Sequence, residues 1–259
     1  IWIATDLVRQ GEASAVISAG NTGAAMATAL FLLGPLRGVE RPAIGTVLPT
    51  LTGVSLMLDV GANVDCKPQH LLQFAVMGHA YAERIMGRPR PRIGLLSIGE
   101  EDTKGNELTK EVFKMLKDSP FNFIGNVEGR DVYLGSADVI VCDGFIGNIA
   151  LKISEGLADT LLNLLKREIS KSFMARLGYL LLRSSLANFQ RKMDYAEYGG
   201  APLLGVNGVC IICHGRSSAR AIKNAIKLSK EFVDRDLNGY LQGDIERYAL
   251  VLKYGESSG

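Results

Sequence analysis

Histidine is scarce in this chain, three residues in 259, and two of them, His70 and His79, stand nine positions apart in a segment of helical periodicity, on opposite faces. A histidine-built metal centre is therefore not expected. Cysteine is equally sparse. The four thiols at positions 66, 142, 210 and 213 are scattered, mostly among apolar neighbours, which suits reduced thiols better than a disulfide framework. Neither sign of charge dominates: 29 basic against 27 acidic residues leave a net charge of +2, so no global field draws the chain to nucleic acid, and any basic surface is local. No stretch supplies the ~20 apolar residues that a membrane-spanning helix needs. The longest uncharged run, 13–36, is interrupted by Ser18, Gly20, Asn21, Thr22, Gly23 and Pro35. The opening residues have no basic segment ahead of an apolar one, as a signal peptide would, and without an initiating Met they read as a start partway through a longer protein. A P-loop, a dinucleotide-binding glycine fingerprint and a G-x-S-x-G elbow are absent as well.

What is present reads as an ordinary globular chain, 47% apolar and 22% charged, long enough for one large domain or two small ones. Short β-rich runs at 15–18, 43–48, 54–59, 93–97, 121–125, 139–143 and 209–213 alternate with helical patterns at 22–33, 68–86, 107–117, 148–171 and 217–235. Most of the runs are continuously apolar, as strands covered on both faces are. The pattern predicts a three-layer α/β/α fold with a largely parallel sheet.

One of those runs contains Cys210-Ile-Ile-Cys213-His214, the spacing of a c-type haem attachment site. Side chains alternate along a strand, so thiols three apart point to opposite faces and cannot reach one haem edge. His214 still stands at the strand's end, ahead of Gly215 and a serine-rich helix start, in the crevice where open α/β sheets bind ligands. Other strands end alike. The first is followed by Gly20-Asn21-Thr22-Gly23, another by Gly61-Ala62-Asn63-Val64-Asp65-Cys66-Lys67-Pro68, and a third by Gly144-Phe145-Ile146-Gly147-Asn148. Glycines admit a ligand close to the backbone, and helix starts offer unpaired N–H groups to an anion. Converging on one edge, such turns describe a phosphate pocket. Each taken alone also reads as an ordinary helix cap.

Taken together, S-A-G-N-T-G (18–23), E-R-P-A (40–43), L-D-V-G-A-N-V-D (58–65), K-G-N-E-L-T-K (104–110), N-F-I-G-N-V-E-G-R-D (122–131), C-D-G-F-I-G-N-I-A-L-K (142–152) and H-G (214–215) are specific. The chain resembles the bacterial phosphate acyltransferases of phospholipid synthesis, often called PlsX, from Ile1 to about Tyr248. That resemblance implies a homodimeric enzyme with a fold similar to isocitrate and isopropylmalate dehydrogenases and to phosphotransacetylase. It would move a fatty acyl group from acyl carrier protein to inorganic phosphate, for a membrane glycerol-3-phosphate acyltransferase to use. No metal, nucleotide or other cofactor is expected. Two departures stand out: the family's opening strand and D-A-M-G-G-D-like loop have no counterpart here, and Ile212 occupies a position where many members carry lysine.

The chemistry needs phosphate held in line with a thioester carbonyl and donors aimed at the developing oxyanion, rather than a protein nucleophile. The expected catalytic residues are His214, Lys67 and Asn63. Gly20, Asn21, Thr22, Gly23, Asp59, Asp65, Asp143, Gly144 and Asn148 are expected to line the substrate, with backbone N–H groups around 21–23 and 144–148 taking the phosphate. His214 either hydrogen-bonds phosphate, or protonates the departing thiol, or merely caps a helix; Lys104 and Lys152 are equally compatible with solvated charges. The alternatives are a phosphate acetyl- or butyryltransferase acting on coenzyme A thioesters, a dehydrogenase of similar fold, and a non-catalytic membrane-edge scaffold.

The whole of 1–259 is taken as one acyltransferase domain containing an amphipathic helical hairpin, 166–194. Within it seven basic residues (Lys166, Arg167, Lys171, Arg176, Arg183, Arg191 and Lys192) face one acidic residue, Glu168, amid Leu177, Leu180, Leu181 and other large apolar groups. A dimer interface would explain the apolar content. An element lying on an anionic membrane, with its basic rim also open to acidic acyl carrier protein, would explain the charge as well.

Overall fold

The computed structural model describes residues 1–193 and 198–254, apart from the side chains of 188, 190–193 and 249–254. Eight strands form one sheet: β1 (Ala15–Ser18), β2 (Ala43–Thr50), β3 (Gly53–Leu58), β4 (Arg92–Leu96), β5 (Asn122–Val127), β6 (Val139–Val141), β7 (Ala201–Leu204) and β8 (Val209–Ile212), in the spatial order β1-β8-β7-β2-β3-β6-β4-β5. Helices α1 (Trp2–Arg9), α2 (Thr22–Leu32), α3 (Pro68–Arg84), α4 (Glu107–Lys117), α5 (Gly144–Ser170), α6 (Phe173–Met193), α7 (Ala219–Asp234) and α8 (Leu237–Tyr254) complete the described elements, with one short 3-10 turn, Asp131–Tyr133. All seven expected strands are present, and the α/β layering is as expected.

The sheet has two parallel blocks. β1 runs parallel to β8; β3, β6, β4 and β5 run parallel to one another. Between the blocks, β8–β7, β7–β2 and β2–β3 are antiparallel. Three reversals invert direction, so the carboxyl ends of the two blocks lie at opposite ends of the sheet. This corrects the expectation that all the glycine turns share one edge. The sequence reading missed β7, a four-residue strand containing Pro202, because proline removes a ladder donor and weakens the strand pattern. It also missed α1, only eight residues long, and α8, whose periodicity is diluted by Gly239 and Gly243.

Each face of the sheet is covered. On one side pack Leu71, Phe74, Met77 and Tyr81 of α3, Val112 and Leu116 of α4, Leu228 and Phe232 of α7, and Leu241 and Ile245 of α8. On the other side pack Ala25, Ala29 and Leu33 from and after α2, Val132 of the 3-10 turn, and Ala150 and Leu151 of α5. Cys210 belongs to the second core and Cys213 to the first, so the two thiols are buried on opposite faces and the haem spacing has no structural meaning. The uncharged run 13–36 divides into β1, a glycine turn and α2. Among the described residues no helix is long and apolar enough to cross a membrane.

The expected hairpin is larger than the 166–194 segment. Its first arm is α5 itself, which starts at Gly144, four residues before the expected 148, because Asp143 caps it, accepting from the N–H groups of Phe145 (2.9 Å) and Ile146 (3.0 Å). α6 packs back along α5. Ile149, Ile153, Leu157, Leu161 and Leu164 leave an apolar stripe of α5 exposed at i, i+4 and i+3 spacing, and Phe173, Met174, Leu177, Leu180 and Leu181 do the same on α6. Arg176 and Arg183 lie among them, both exposed. The side chains of Arg191 and Lys192, and residue 194, fall outside the described residues.

Candidate active site

The carboxyl end of β3 is organised by one buried carboxylate. Asp59 is fully buried and accepts from the backbone N–H groups of Ile44 (3.0 Å), Gly61 (3.2 Å), Ala62 (3.0 Å) and Asn63 (2.7 Å), and from the Asn63 side-chain amide (2.9 Å). The same Asn63 Nδ2 donates to the Pro42 carbonyl at 2.8 Å, tying the loop to the segment that leads into β2. Burial pushes the Asp59 carboxyl above its ordinary value against the opposing pull of those donors.

The start of α5 is pressed onto this loop. A Cβ at Gly144 would collide with the Asn63 backbone and the Asp59 carboxylate, and one at Gly147 with the Asp59 carbonyl, which is why both positions are glycine. Asn148 lies over Gly61. Cys66 sits beneath the same junction, its Sγ 3.8 Å from the Asn63 carbonyl, and burial pushes its thiol up to about 11. Cys142, fully buried beside the Asp59 carbonyl, is raised for the same reason. Neither thiol is poised as a nucleophile.

Beyond the loop, the Lys67 N–H donates to His70 Nδ1 at 3.1 Å, and His70 Nε2 stands 3.2 Å from Glu40 Oε2. Lys67 and Arg41 are exposed, and the Arg41 charge acts on both Cys66 and His70. Asp65, also exposed, takes a left-handed φ of 59°. The structure thus gathers Asp59, Asn63, Lys67, Asp143, Gly144 and Asn148 into one place and adds Arg41, Glu40 and His70. In the sequence Arg41 stands out only within E-R-P-A, and His70 only as a histidine with no metal-site partner. Its one available signal was the proximity of His70 to Lys67 at a helix start.

At the other end of the sheet, β1 and β8 bring together the remaining predicted residues. Cys213 N donates to the Ser18 carbonyl (2.7 Å), Gly20 N to Ser18 Oγ (3.3 Å), and Gly215 lies against the Ala19 carbonyl. Asn21 caps α2 by accepting from Ala24 N at 2.9 Å. Thr22 and Gly23 are exposed beside it. His214 is exposed, with Nδ1 accepting from Arg216 N at 3.4 Å. α2 and α5 cover the same face of the sheet but start from its opposite ends.

The amide cradle expected at the start of α5 is already occupied. The amides of Gly61, Ala62 and Asn63 are spent on Asp59, those of Phe145 and Ile146 on the Asp143 side chain, and that of Gly147 on the Asp143 carbonyl. These turns do not present a free cradle of N–H groups. Two carboxylates already fill them, and an anion at this end must be met by side-chain cations, of which Lys67 and Arg41 are the ones in place. Lys152, expected as either a ligand or a solvated charge, pairs with Glu155 at 2.8 Å.

The model of the family described as "Fatty acid synthesis protein" matches residues 1–239. The chain is 56% identical to the phosphate acyltransferase of Geobacter sulfurreducens, over 95% of this chain and 71% of that one, and 58% identical to the phosphate acyltransferase of Thermodesulfovibrio yellowstonii, over 90% and 68% respectively. In fold it is similar to a phosphotransacetylase from Streptococcus pyogenes, with a TM-score of 0.60 at 18% identity over 90% of this chain and 67% of the other, and to a branched-chain phosphotransacylase from Enterococcus faecalis V583, with a TM-score of 0.58 at 16% identity over 90% and 78%. A buried-carboxylate loop joined to a glycine-started helix, on a phosphotransacetylase-like sheet and at this level of identity to its relatives, places the chain in the phosphate acyltransferase family of enzymes.

Proposed function

We propose that the enzyme transfers a long-chain acyl group from acyl carrier protein to inorganic phosphate. The observation that carries this reading is a rigid loop flanked by exposed cations, Lys67 and Arg41, beside thiols that burial keeps protonated. Without a protein nucleophile, phosphate itself attacks the thioester carbonyl. A P–O–C bond forms, the C–S bond breaks, and the thiolate takes a proton as it leaves. Lys67 and Arg41 hold the phosphate and Asn63 and Asn148 line its approach, while His214, at the opposite end of the sheet, takes no part in this step. The Asp59 and Asp143 carboxylates shape the pocket without touching the anion.

The product is a water-averse acyl phosphate, and the enzyme works as a homodimer at the inner face of the cell membrane, beside the glycerol-3-phosphate acyltransferase that consumes it. The exposed leucines of α6 with Arg176 and Arg183 support membrane contact, since a basic rim around apolar groups suits anionic headgroups. The same rim supports docking of acidic acyl carrier protein.

Acyl phosphate formation measured with palmitoyl-acyl carrier protein and with palmitoyl- and acetyl-coenzyme A, each with phosphate omitted as a control, tests the substrate. Faster turnover of the carrier-protein thioester is expected. Preference for acetyl-coenzyme A would replace this reading with the short-chain phosphotransacylase one. Flotation with phosphatidylglycerol vesicles at low salt tests the membrane: Leu180→Glu with Leu181→Glu should abolish binding while the dimer and turnover of soluble substrate survive. A wild-type protein that ignores the vesicles, or a variant that falls apart into monomers, overturns membrane docking by α6.

A further inference from the structure

We propose that His70 is a positioning residue whose neutral imidazole clamps the Lys67 turn to the segment ahead of β2, and that protonating it releases Lys67 and weakens phosphate binding. This rests on Lys67 meeting phosphate. His70 is buried at the first turn of α3 and has a polar partner at each ring nitrogen: the Lys67 N–H at Nδ1 (3.1 Å) and the Glu40 carboxylate at Nε2 (3.2 Å).

Those partners fix the tautomer. A backbone N–H can only donate, so Nδ1 must be the acceptor, and the ring proton sits on Nε2 and points at Glu40. Glu40 is held in place without help from His70. One turn further along α3, buried Gln73 accepts from Glu40 N at 2.9 Å and donates to the Gly38 carbonyl at 3.0 Å. His70 and Gln73 therefore grip the 38–40 segment from one face of α3, and of these two side chains His70 passes that grip on to Lys67, whose carbonyl also accepts from the N–H groups of His70 (3.0 Å) and Leu71 (3.4 Å).

A second proton has only Nδ1 to occupy. Two N–H groups then face each other where one hydrogen bond had been, and the turn carrying Lys67 is pushed away. The charged groups facing the ring are Glu40 and Arg41 from the segment ahead of β2 and Lys67 from the turn before α3. Burial lowers the ring's pKa, Glu40 opposes that shift, and Arg41 and Lys67 reinforce it, so the clamp is closed at neutral pH. Because the folded-state value lies below the ordinary one, the neutral clamp is intact above it. Below the ordinary value the unfolded chain takes up protons first, and the clamp is lost as pH falls through the lower, folded value.

The test compares phosphate KM and kcat between pH 5.5 and 8.5 in the wild type and four variants. Phosphate's own ionisation contributes equally to all. His70→Asn places an acceptor near the Nδ1 position but does not titrate: its phosphate KM should stay within about threefold of wild type at pH 8 and lose the acid rise that the wild type shows. His70→Leu fills the space with no acceptor for the Lys67 N–H, so its KM should rise about tenfold at every pH, with kcat changed less. Glu40→Gln, at an exposed carboxylate, keeps the acceptor without the charge that favours imidazolium and should move the acid rise to lower pH. An unchanged phosphate KM in His70→Leu, or a wild-type pH profile in His70→Asn, overturns the clamp. If Lys67→Ala leaves phosphate KM unaltered, it is the proposed phosphate site that fails. Amide exchange at Lys67, faster in His70→Leu than in wild type or equal to it, then still decides whether His70 holds the turn.

Discussion

The two ends of the sheet are built in contrasting ways. At the β3/β6 end, one buried carboxylate takes hydrogen bonds from four backbone amides and a side-chain amide, and two glycines let a helix press onto the loop so formed. At the β1/β8 end the corresponding turn is exposed and is held by Ser18, an Asn21 cap and a contact between His214 and its own loop. The first end is rigid because its polar groups are satisfied internally; the second has exposed side chains free to meet a partner. The proposed reaction joins its anion and its leaving group at one carbonyl, so it can use only one of these ends, and Lys67 and Arg41 stand at the first.

Removing the centre of the rigid end should produce the largest effect. Asp59→Ala leaves four buried or part-buried N–H groups without their acceptor, and each such loss costs about 1–3 kcal/mol. Even with strong non-additivity, the total should be about 4 kcal/mol or more, a fall in Tm on the order of 10 °C for a chain of this size. Asp59→Asn keeps one acceptor oxygen and should lose less than the alanine variant. Ser18→Ala, the matching change at the open end, removes one 3.3 Å bond and should cost about 1 kcal/mol or less. Calorimetric melts of the three proteins that give equal losses would erase the contrast.

Next come the two side-chain candidates, one from each end. His214→Ala, at the opposite end of the sheet from the proposed phosphate site, should leave kcat within about threefold of wild type, far short of the ~10²-fold a proton-transfer group costs, with little effect on Tm because the side chain is exposed. Lys67→Ala should instead act mainly through the phosphate KM. A His214→Ala enzyme slowed about 10²-fold would move the reaction to the β1/β8 end and overturn the phosphate site at Lys67 and Arg41. Loss of kcat in both variants, with neither changing KM, contradicts the assignment of phosphate to the first end.

Much of this was legible in the sequence, and the reasons differ by level. The strands were readable because both faces of the sheet are covered, which makes runs such as Val-Ile-Val and Val-Cys-Ile-Ile continuously apolar. The residues of the site were readable as glycine turns, since Gly144 and Gly147 are forced by contacts that admit no Cβ. The relation between the turns was not. It depends on strand direction, which depends on β7, and a four-residue strand with a proline carries almost no periodic signal. Nor could the sequence show that Asp59 and Asp143 consume the amides expected to bind phosphate, because an Asp beside a Gly-rich turn reads alike as ligand or as cap. His70 was hidden for a similar reason: its importance lies in Glu40, thirty positions away in the chain, and in one backbone N–H.

The smallest expected effect sharpens the comparison at its most ambiguous residue. Asn21 was predicted to line the substrate, and the structure makes it the N-cap of α2, accepting from Ala24 N at 2.9 Å. Both roles use the same side chain, so alanine alone cannot separate them: Asn21→Ala should cost about 1 kcal/mol from the lost cap whatever else it does. Serine separates them. It caps nearly as well as asparagine but carries a hydroxyl in place of the amide donor and is one atom shorter. If Asn21 only caps, Asn21→Ser restores both Tm and phosphate KM. If its amide also reaches the substrate, serine restores Tm while KM stays raised severalfold. The second result would draw the open end into phosphate binding and narrow the division between the two ends to rigidity alone; the first leaves the anion entirely to Lys67 and Arg41.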